Sequence, residues 1–189
     1  MLDLLAHYLV SYLIARTIVE PRYALIIAFV GVVADVDALL GVHRWITHST
    51  LGVLLASTPL LALAYVLGER YVKVVLLALL LYTLHLVLDL FTGPTPILYP
   101  LVGSIRVKLE VIGLYSDTGI ALTPRITVET WKPDFTPQPA IEGPIVSEAG
   151  IILVVVTALV LVLDYLGKKR SVKQRIRAEH SITVRRWKR

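Results

Sequence analysis

Residues Ala34–Ser49 read ADVDALLGVHRWITHS, and this stretch decides what kind of protein the chain is. Two aspartates, two histidines and an arginine fall within it, between two long apolar runs. In so apolar a setting, ionisable groups are costly unless they meet water, a metal or each other. The stretch is therefore expected to form half of a metal site at a membrane surface, with His85 and Asp89 supplying the other half.

The setting follows from composition. Of 189 residues, 56% are hydrophobic and 17% charged, and the mean hydropathy is +0.74. A soluble domain of this length needs no such apolar share, so the membrane class comes first. Cysteine is absent, which excludes disulfides and thiolate ligands. A metal site must then draw on His, Asp or Glu, the ligands of hydrolytic zinc and manganese centres.

Upstream of the stretch, Tyr23–Leu40 is one apolar run, with Asp35 and Asp37 in its last turns and Gly41 as its stop. Before it, Leu2–Val19 carries Asp3, His7 and Arg16, unlike a cleaved signal peptide, and reads as a retained helix, short for a perpendicular span. Pro21 marks its end. Downstream, His48–Leu67 tolerates Pro59 if neighbours satisfy the freed carbonyl. After a Gly68-Glu69-Arg70 turn, Tyr71–Phe91 is long enough to span a core of ~30 Å at ~1.5 Å rise per residue.

Thr92–Ser147 differs in kind, holding eight of the ten prolines. Alternation in Ile105–Ile112 and Arg125–Trp131 predicts half-buried strands of one small hairpin. Pro133, Pro137, Pro139 and Pro144 mark an extended connector. Ala149–Leu166 is a final apolar run. The expected fold is an all-α integral membrane protein with about five transmembrane helices. It divides into a four-helix core at 1–92 carrying the metal site, a Pro-rich segment with a hairpin at 93–147, a fifth helix at 148–167 and a basic tail at 168–189.

Charge gives the expected orientation. Ten of the nineteen Lys and Arg residues follow Gly167, and with five spans the turns at Arg16–Arg22 and Glu69–Lys73 share their side. That side collects fourteen of the nineteen and is placed in the cytoplasm. The Ala34–Ser49 stretch and the 93–147 segment then face outward, and His7, Asp35, Asp37, His43, His48, His85 and Asp89 all fall at the outer ends of their helices. Beside a membrane, the tail is expected to attract anionic lipid headgroups at ~1 kcal/mol per basic residue. It carries no nucleic-acid motif, so no specific nucleic acid is expected.

The motifs have chemistry of their own. His85 and Asp89 lie one turn apart on one helix face, where both can reach one ion. Asp35 and Asp37 would point about 200° apart on an α-helix, which suits one ligand and one capping or orienting group. In His43-Arg44 and Thr47-His48, histidine suits a metal and arginine a phosphate oxygen. Taken singly, each has a plainer reading: an interhelical hydrogen bond, acids in the headgroup region, a polar interfacial turn, a buried hydrogen-bonded His7. Their gathering at one depth favours a site.

These residues resemble the YdjM-type membrane-bound metal-dependent hydrolases. That pattern has an early His, Asp-x-Asp, His-Arg-x-x-Thr-His-Ser, and His-x-x-x-Asp before a Trp-Pro or similar dipeptide. Here these are His7, Asp35-Val36-Asp37, His43–Ser49, His85 to Asp89, and Tyr99-Pro100, with Ala34 where a Pro is usual. The order is also similar, more distantly, to zinc-dependent phospholipase C and related nucleases. That likeness implies zinc ligands at His85 and Asp89, with Asp89 bridging two ions, Asp35 and His48 completing one and His7 serving the other. No His or HxxxE pattern between His85 and His180 provides for a third ion, so one or two are expected.

The expected function is a membrane metallohydrolase acting on a phosphoester, with a phospholipid headgroup as the candidate substrate. Its divalent metal, zinc, is expected on His7, Asp35, His48, His85 and Asp89. Arg44 and His43 are expected to hold a substrate oxygen, with Asp37 orienting a ligand or taking a proton. Two other classes remain open. A metal or proton transporter would carry ionisable groups to the bilayer midplane, where these helices are apolar. A membrane-anchored binding or assembly protein would work through Thr92–Ser147.

Overall fold

Pro21 opens a helix that changes character halfway. In the computed structural model, which describes residues 3–42, 44–117, 119–139 and 143–187 (116 and 171–187 by backbone alone), α2 spans Pro21–Ile27 and runs straight into a 3₁₀ segment at Ala28–Leu40. Pro at the first helical position costs no hydrogen bond. The 3₁₀ segment is 13 residues long, where runs beyond ~4 are uncommon. With three residues per turn it buries every third side chain, and that row is Ala28, Gly31, Ala34 and Asp37. Gly41 ends it in the left-handed region, at φ 75°.

The small row lets neighbours approach. Helix α1, Leu4–Ile18, crosses the 3₁₀ segment so closely that a Cβ on Gly31 would lie 1.8 Å from Ser11 Oγ. Asp3 caps α1, its carboxylate accepting from the Ala6 N–H and also from the Ser147 N–H just ahead of the last helix. Gly150 leaves room for that carboxylate, since a Cβ there would come within 2.6 Å of it.

Helix α3, Thr50–Leu67, is capped by Ser49, whose Oγ accepts from the Gly52 N–H at 3.0 Å, and it contains Pro59. Gly68, at φ 116°, turns the chain into α4, Glu69–Thr92. Leu77, Leu81, His85 and Asp89 are all buried and four apart, so the HxxxD pair continues an apolar stripe on one face. Away from the site the core is Tyr12, Ala15, Ala24, Ala28, Leu77 and Leu81, with the small residues typical of close membrane-helix contacts.

Beyond α4, β1 (Ser104–Ser116) and β2 (Gly119–Trp131) form one antiparallel hairpin, Ser104 opposite Trp131 and Ser116 opposite Gly119. It is longer than the alternation predicts. Gly113, Thr123 and Pro124 interrupt the sequence pattern, but the ladder continues through all three. Helix α5 runs Glu148–Trp187, continuing past the apolar run into the basic segment.

Four segments are long and apolar enough to cross a membrane: Pro21–Leu40, Thr50–Leu67, Glu69–Thr92 and Glu148–Arg170. Helix α1, at 15 residues, is apolar but shorter. Leu39, Tyr65 and Val66 are among the large side chains left bare on these helices, as a lipid-facing surface requires. The protein is a mostly helical membrane protein with a small two-stranded sheet.

Candidate metal centre

Among the largest fully buried side chains are His7, His48, His85, Asp37 and Asp89. Burying so many polar groups in one place is unfavourable unless each is paired or holds an ion. Four elements bring them together: α1 with His7, the 3₁₀ segment with both aspartates, the 3₁₀ turn Ile46–His48, and α4 with His85 and Asp89.

The two histidines are aimed from behind. His85 Nδ1 lies 2.8 Å from the Gly31 carbonyl, which can only accept, so the proton sits on Nδ1 and Nε2 presents a lone pair. His48 Nδ1 lies 3.0 Å from Asp37 Oδ2 in the same relationship. Asp37 Oδ2 is itself held by the Trp45 N–H at 2.8 Å and the Thr47 hydroxyl at 2.6 Å. Tyr82 donates its hydroxyl to the Thr47 carbonyl, fixing the turn.

The near nitrogens converge on each other and on two carboxylates. His48 Nε2 is 3.2 Å from His85 Nε2, 3.5 Å from Asp35 Oδ1 and 3.5 Å from Asp89 Oδ2, and His85 Nε2 is 3.6 Å from Asp35 Oδ1. One ligand atom from each of Asp35, His48, His85 and Asp89 lies within 4.8 Å of all the others. Tetrahedral N and O ligands at ~2.0–2.1 Å from zinc stand ~3.3 Å apart, so most of these separations suit a small divalent cation. Without one, burial disfavours the charged form of His48, but its contacts with Asp35 and Asp37 prevail and push its pKa up to about 9. A positive charge belongs at this point.

His7 sits alongside. Its ring centroid is 4.0 Å from that of His85, and its Nε2 is 3.3 Å from Asp89 Oδ1. Nδ1, though buried, makes no hydrogen bond within the described residues, while Nε2 faces the Asp89 carboxylate. A buried imidazole beside a shared carboxylate has the donor chemistry for a second ion.

Arg44 holds the other side of Asp89. Its Nε donates to Asp89 Oδ2 at 3.0 Å, one terminal nitrogen to the Pro94 carbonyl and the other to the Thr92 hydroxyl, each at 3.1 Å. Its backbone is left-handed, φ 59°, a strained setting for a non-glycine residue. Gly93 makes the space, since a Cβ there would lie 2.1 Å from the guanidinium. Arg44 also lines a cleft of about 330 Å³ at the hairpin base, with Trp131, Lys132 and Phe135.

The structure thus unites Asp35, His48, His85 and Asp89, puts His7 next to them, and sets Asp37 on the far nitrogen of His48 and Arg44 on the Asp89 oxygen that faces His48. His43 lies outside the described residues. Sequence reasoning missed Gly31, whose carbonyl turns His85, and Thr92, which supports both Arg44 and Asp89. A glycine inside an apolar run was the one signal for the first. Thr92 gave none.

The family model described as YdjM inner membrane protein matches residues 3–171. No curated protein and no solved structure matches the chain, so the likeness to phospholipase C gains no support from these comparisons. The match takes in α1 to α4, the hairpin, α5 as far as residue 171 and the whole constellation, and the chain belongs to the YdjM inner membrane protein family.

Proposed function

We propose that this protein is a metal-dependent hydrolase acting on a phosphoester at the membrane surface. One observation carries the reading: the donor atoms of Asp35, His48, His85 and Asp89 converge, and both imidazoles are oriented from behind by Gly31 and Asp37. Metal-ligating histidines nearly always donate the far N–H to a carbonyl or carboxylate in this way.

These four residues would hold a divalent cation, zinc by its His/Asp donor set, and His7 with Asp89 a second. When bound, such a cation acidifies water and polarises the scissile group. The protein's own contributions are distinct. Asp37 keeps the His48 lone pair on the site. Arg44 holds Asp89, and in the cleft it shares with Lys132 and Asp134 its remaining N–H donors provide for an anionic oxygen. That pairing is what supports a phosphoester. His43 belongs to the same proposal as a further contact to that oxygen.

The apolar core formed by Leu77, Leu81 and their neighbours favours a surface site over a transport path. The charge distribution supports an extracytoplasmic site and a cytoplasmic C-terminal segment that attracts anionic lipid.

The test is hydrolysis by the purified protein of bis(p-nitrophenyl) phosphate and of phospholipids, before and after chelation. The reading expects turnover that EDTA abolishes and zinc restores. Metal-loaded protein inert toward every phosphoester, combined with a stoichiometric protein partner recovered by crosslinking, would transfer the chain to the assembly class.

A further inference from the structure

Of the four converging residues, His48, His85 and Asp89 are at most 2% exposed, whereas the Asp35 side chain is 10% exposed. Its exposure opens onto a groove of about 480 Å³ between α1 and the 3₁₀ segment, walled by Leu4, Tyr8, Phe29, Val32, Val36 and Leu39 among others. That volume lies within the range of small-molecule sites, ~300–1,000 Å³.

We propose that this groove binds the acyl chain of a phosphate-bearing amphiphile and so delivers its head to Asp35. The proposal rests on the metallohydrolase reading and names the kind of substrate that site takes.

The 3₁₀ geometry builds the groove. Residues three apart eclipse one another, so Phe29, Val32 and Asp35 form a single row beside the buried one. At a rise of ~2.0 Å per residue, Phe29 stands ~12 Å from Asp35 along the axis. One end of the row is therefore a carboxylate and the other an aromatic pair, for Phe29 packs at a tilt against Tyr8 with ring centroids 4.9 Å apart. The Tyr8 hydroxyl is already engaged with the Leu25 carbonyl at 3.0 Å, which leaves Asp35 as the acidic group in an otherwise apolar lining.

Phe29, Val36 and Leu39 are 61%, 52% and 85% exposed, on a helix long and apolar enough to cross a membrane. The groove is thus open sideways, toward hydrocarbon. A soluble phosphoester gains nothing from such a wall, whereas the chain of an amphiphile already in the bilayer can enter it without leaving hydrocarbon. With a cation on Asp35 to meet the phosphate, the occupant that matches both ends is a phospholipid-like molecule entering in the membrane plane.

The experiment compares two probes on the full-length protein in non-ionic detergent: dioctanoyl phosphatidylglycerol and glycerophosphoglycerol, the same head without chains. Calorimetric affinities are measured in parallel with metal content by plasma mass spectrometry. The chain-bearing probe is expected to bind at least tenfold more tightly. Val32→Trp and Val36→Trp, which fill the groove, should remove that advantage, and Val33→Trp, outside the lining, should keep it. Should Val32→Trp fail to fold, Leu39→Trp at the exposed rim substitutes for it. Equal affinity of both probes for the wild-type protein overturns the groove, as does an advantage undiminished in the filled variants. Metal-free wild-type protein that still shows the groove-dependent advantage sustains the groove and overturns the metal reading instead.

Discussion

His48 Nε2 and His85 Nε2 face each other across 3.2 Å, each ring turned to that position by a hydrogen bond on its far nitrogen. Two lone pairs at this distance repel unless a proton or a cation lies between them or beside them. Asp35 and Asp89 bring their oxygens to the same point, which makes a divalent cation the better occupant.

Asp37 should matter to that cation without touching it. It holds the His48 Nδ1 proton, and replacement by Asn removes the charge that fixes the tautomer. Loss of such an orienting partner costs about 10–100-fold in metal affinity. Competition titration of Asp37→Asn against a zinc chelator is expected to show a drop in this range, and the metal-free protein should unfold at a lower temperature as well, because Asp37 also holds the Trp45 N–H and the Thr47 hydroxyl.

Arg44 positions Asp89 through a charge-assisted hydrogen bond, worth about 1.5–3 kcal/mol. Arg44→Lys cannot span Asp89, Thr92 and the Pro94 carbonyl together, so it should lose most of this. Gly93→Ala should reproduce the loss from the other side, because its Cβ would displace the guanidinium. Both variants should lower the unfolding midpoint in detergent, and the double variant should fall little further than either alone.

At Gly31 two effects oppose. Gly→Ala inside a helix ordinarily gains up to about 1 kcal/mol. Here the new methyl would meet Ser11 Oγ at 1.8 Å, and overpacking of this kind costs about 1–3 kcal/mol. The clash should win, lowering stability and shifting the carbonyl that aims His85. Adding Ser11→Gly should restore the unfolding midpoint, a rescue that loss of the glycine's flexibility alone would not show.

Asp3 gives a pH dependence. Burial raises its pKa, but hydrogen bonds from Ser147, Ala6 and Gly150 outweigh this and hold it below the usual 3.8. A depressed carboxylate contributes stability that is fully present above 3.8 and is lost as pH falls through the lower folded value. Asp3→Ala removes the helix cap at a cost of about 0.5–2 kcal/mol. Its unfolding midpoint should lie below the wild type at pH 7, and the gap should close as pH is taken below 3.8.

The parts of the site legible in the sequence are those that obey α-helical spacing. His85 and Asp89 sit four apart on α4 and converge as their spacing predicts. The division of labour between Asp35 and Asp37 follows a different geometry. On an α-helix they would stand about 160° apart by the shorter arc, but in the 3₁₀ segment the angle is about 120°. The two acids then flank His48, Asp35 near Nε2 and Asp37 on Nδ1. Nothing in an apolar run announces 3₁₀ winding. The hairpin base was legible because Arg106, Lys108 and Glu110 alternate with apolar residues, whereas near the tip Ile112, Leu114 and Tyr115 make both faces apolar and the period disappears. The continuation of α5 past Gly167 had no apolar periodicity to mark it.

The most direct test is metal content after purification of the full chain and of His85→Ala and Asp89→Ala, measured by plasma mass spectrometry. The cluster predicts one or two equivalents of a divalent metal in the wild-type protein and a clear loss in both variants. Metal retained unchanged in both, or none in a wild-type protein supplied with zinc, would contradict it.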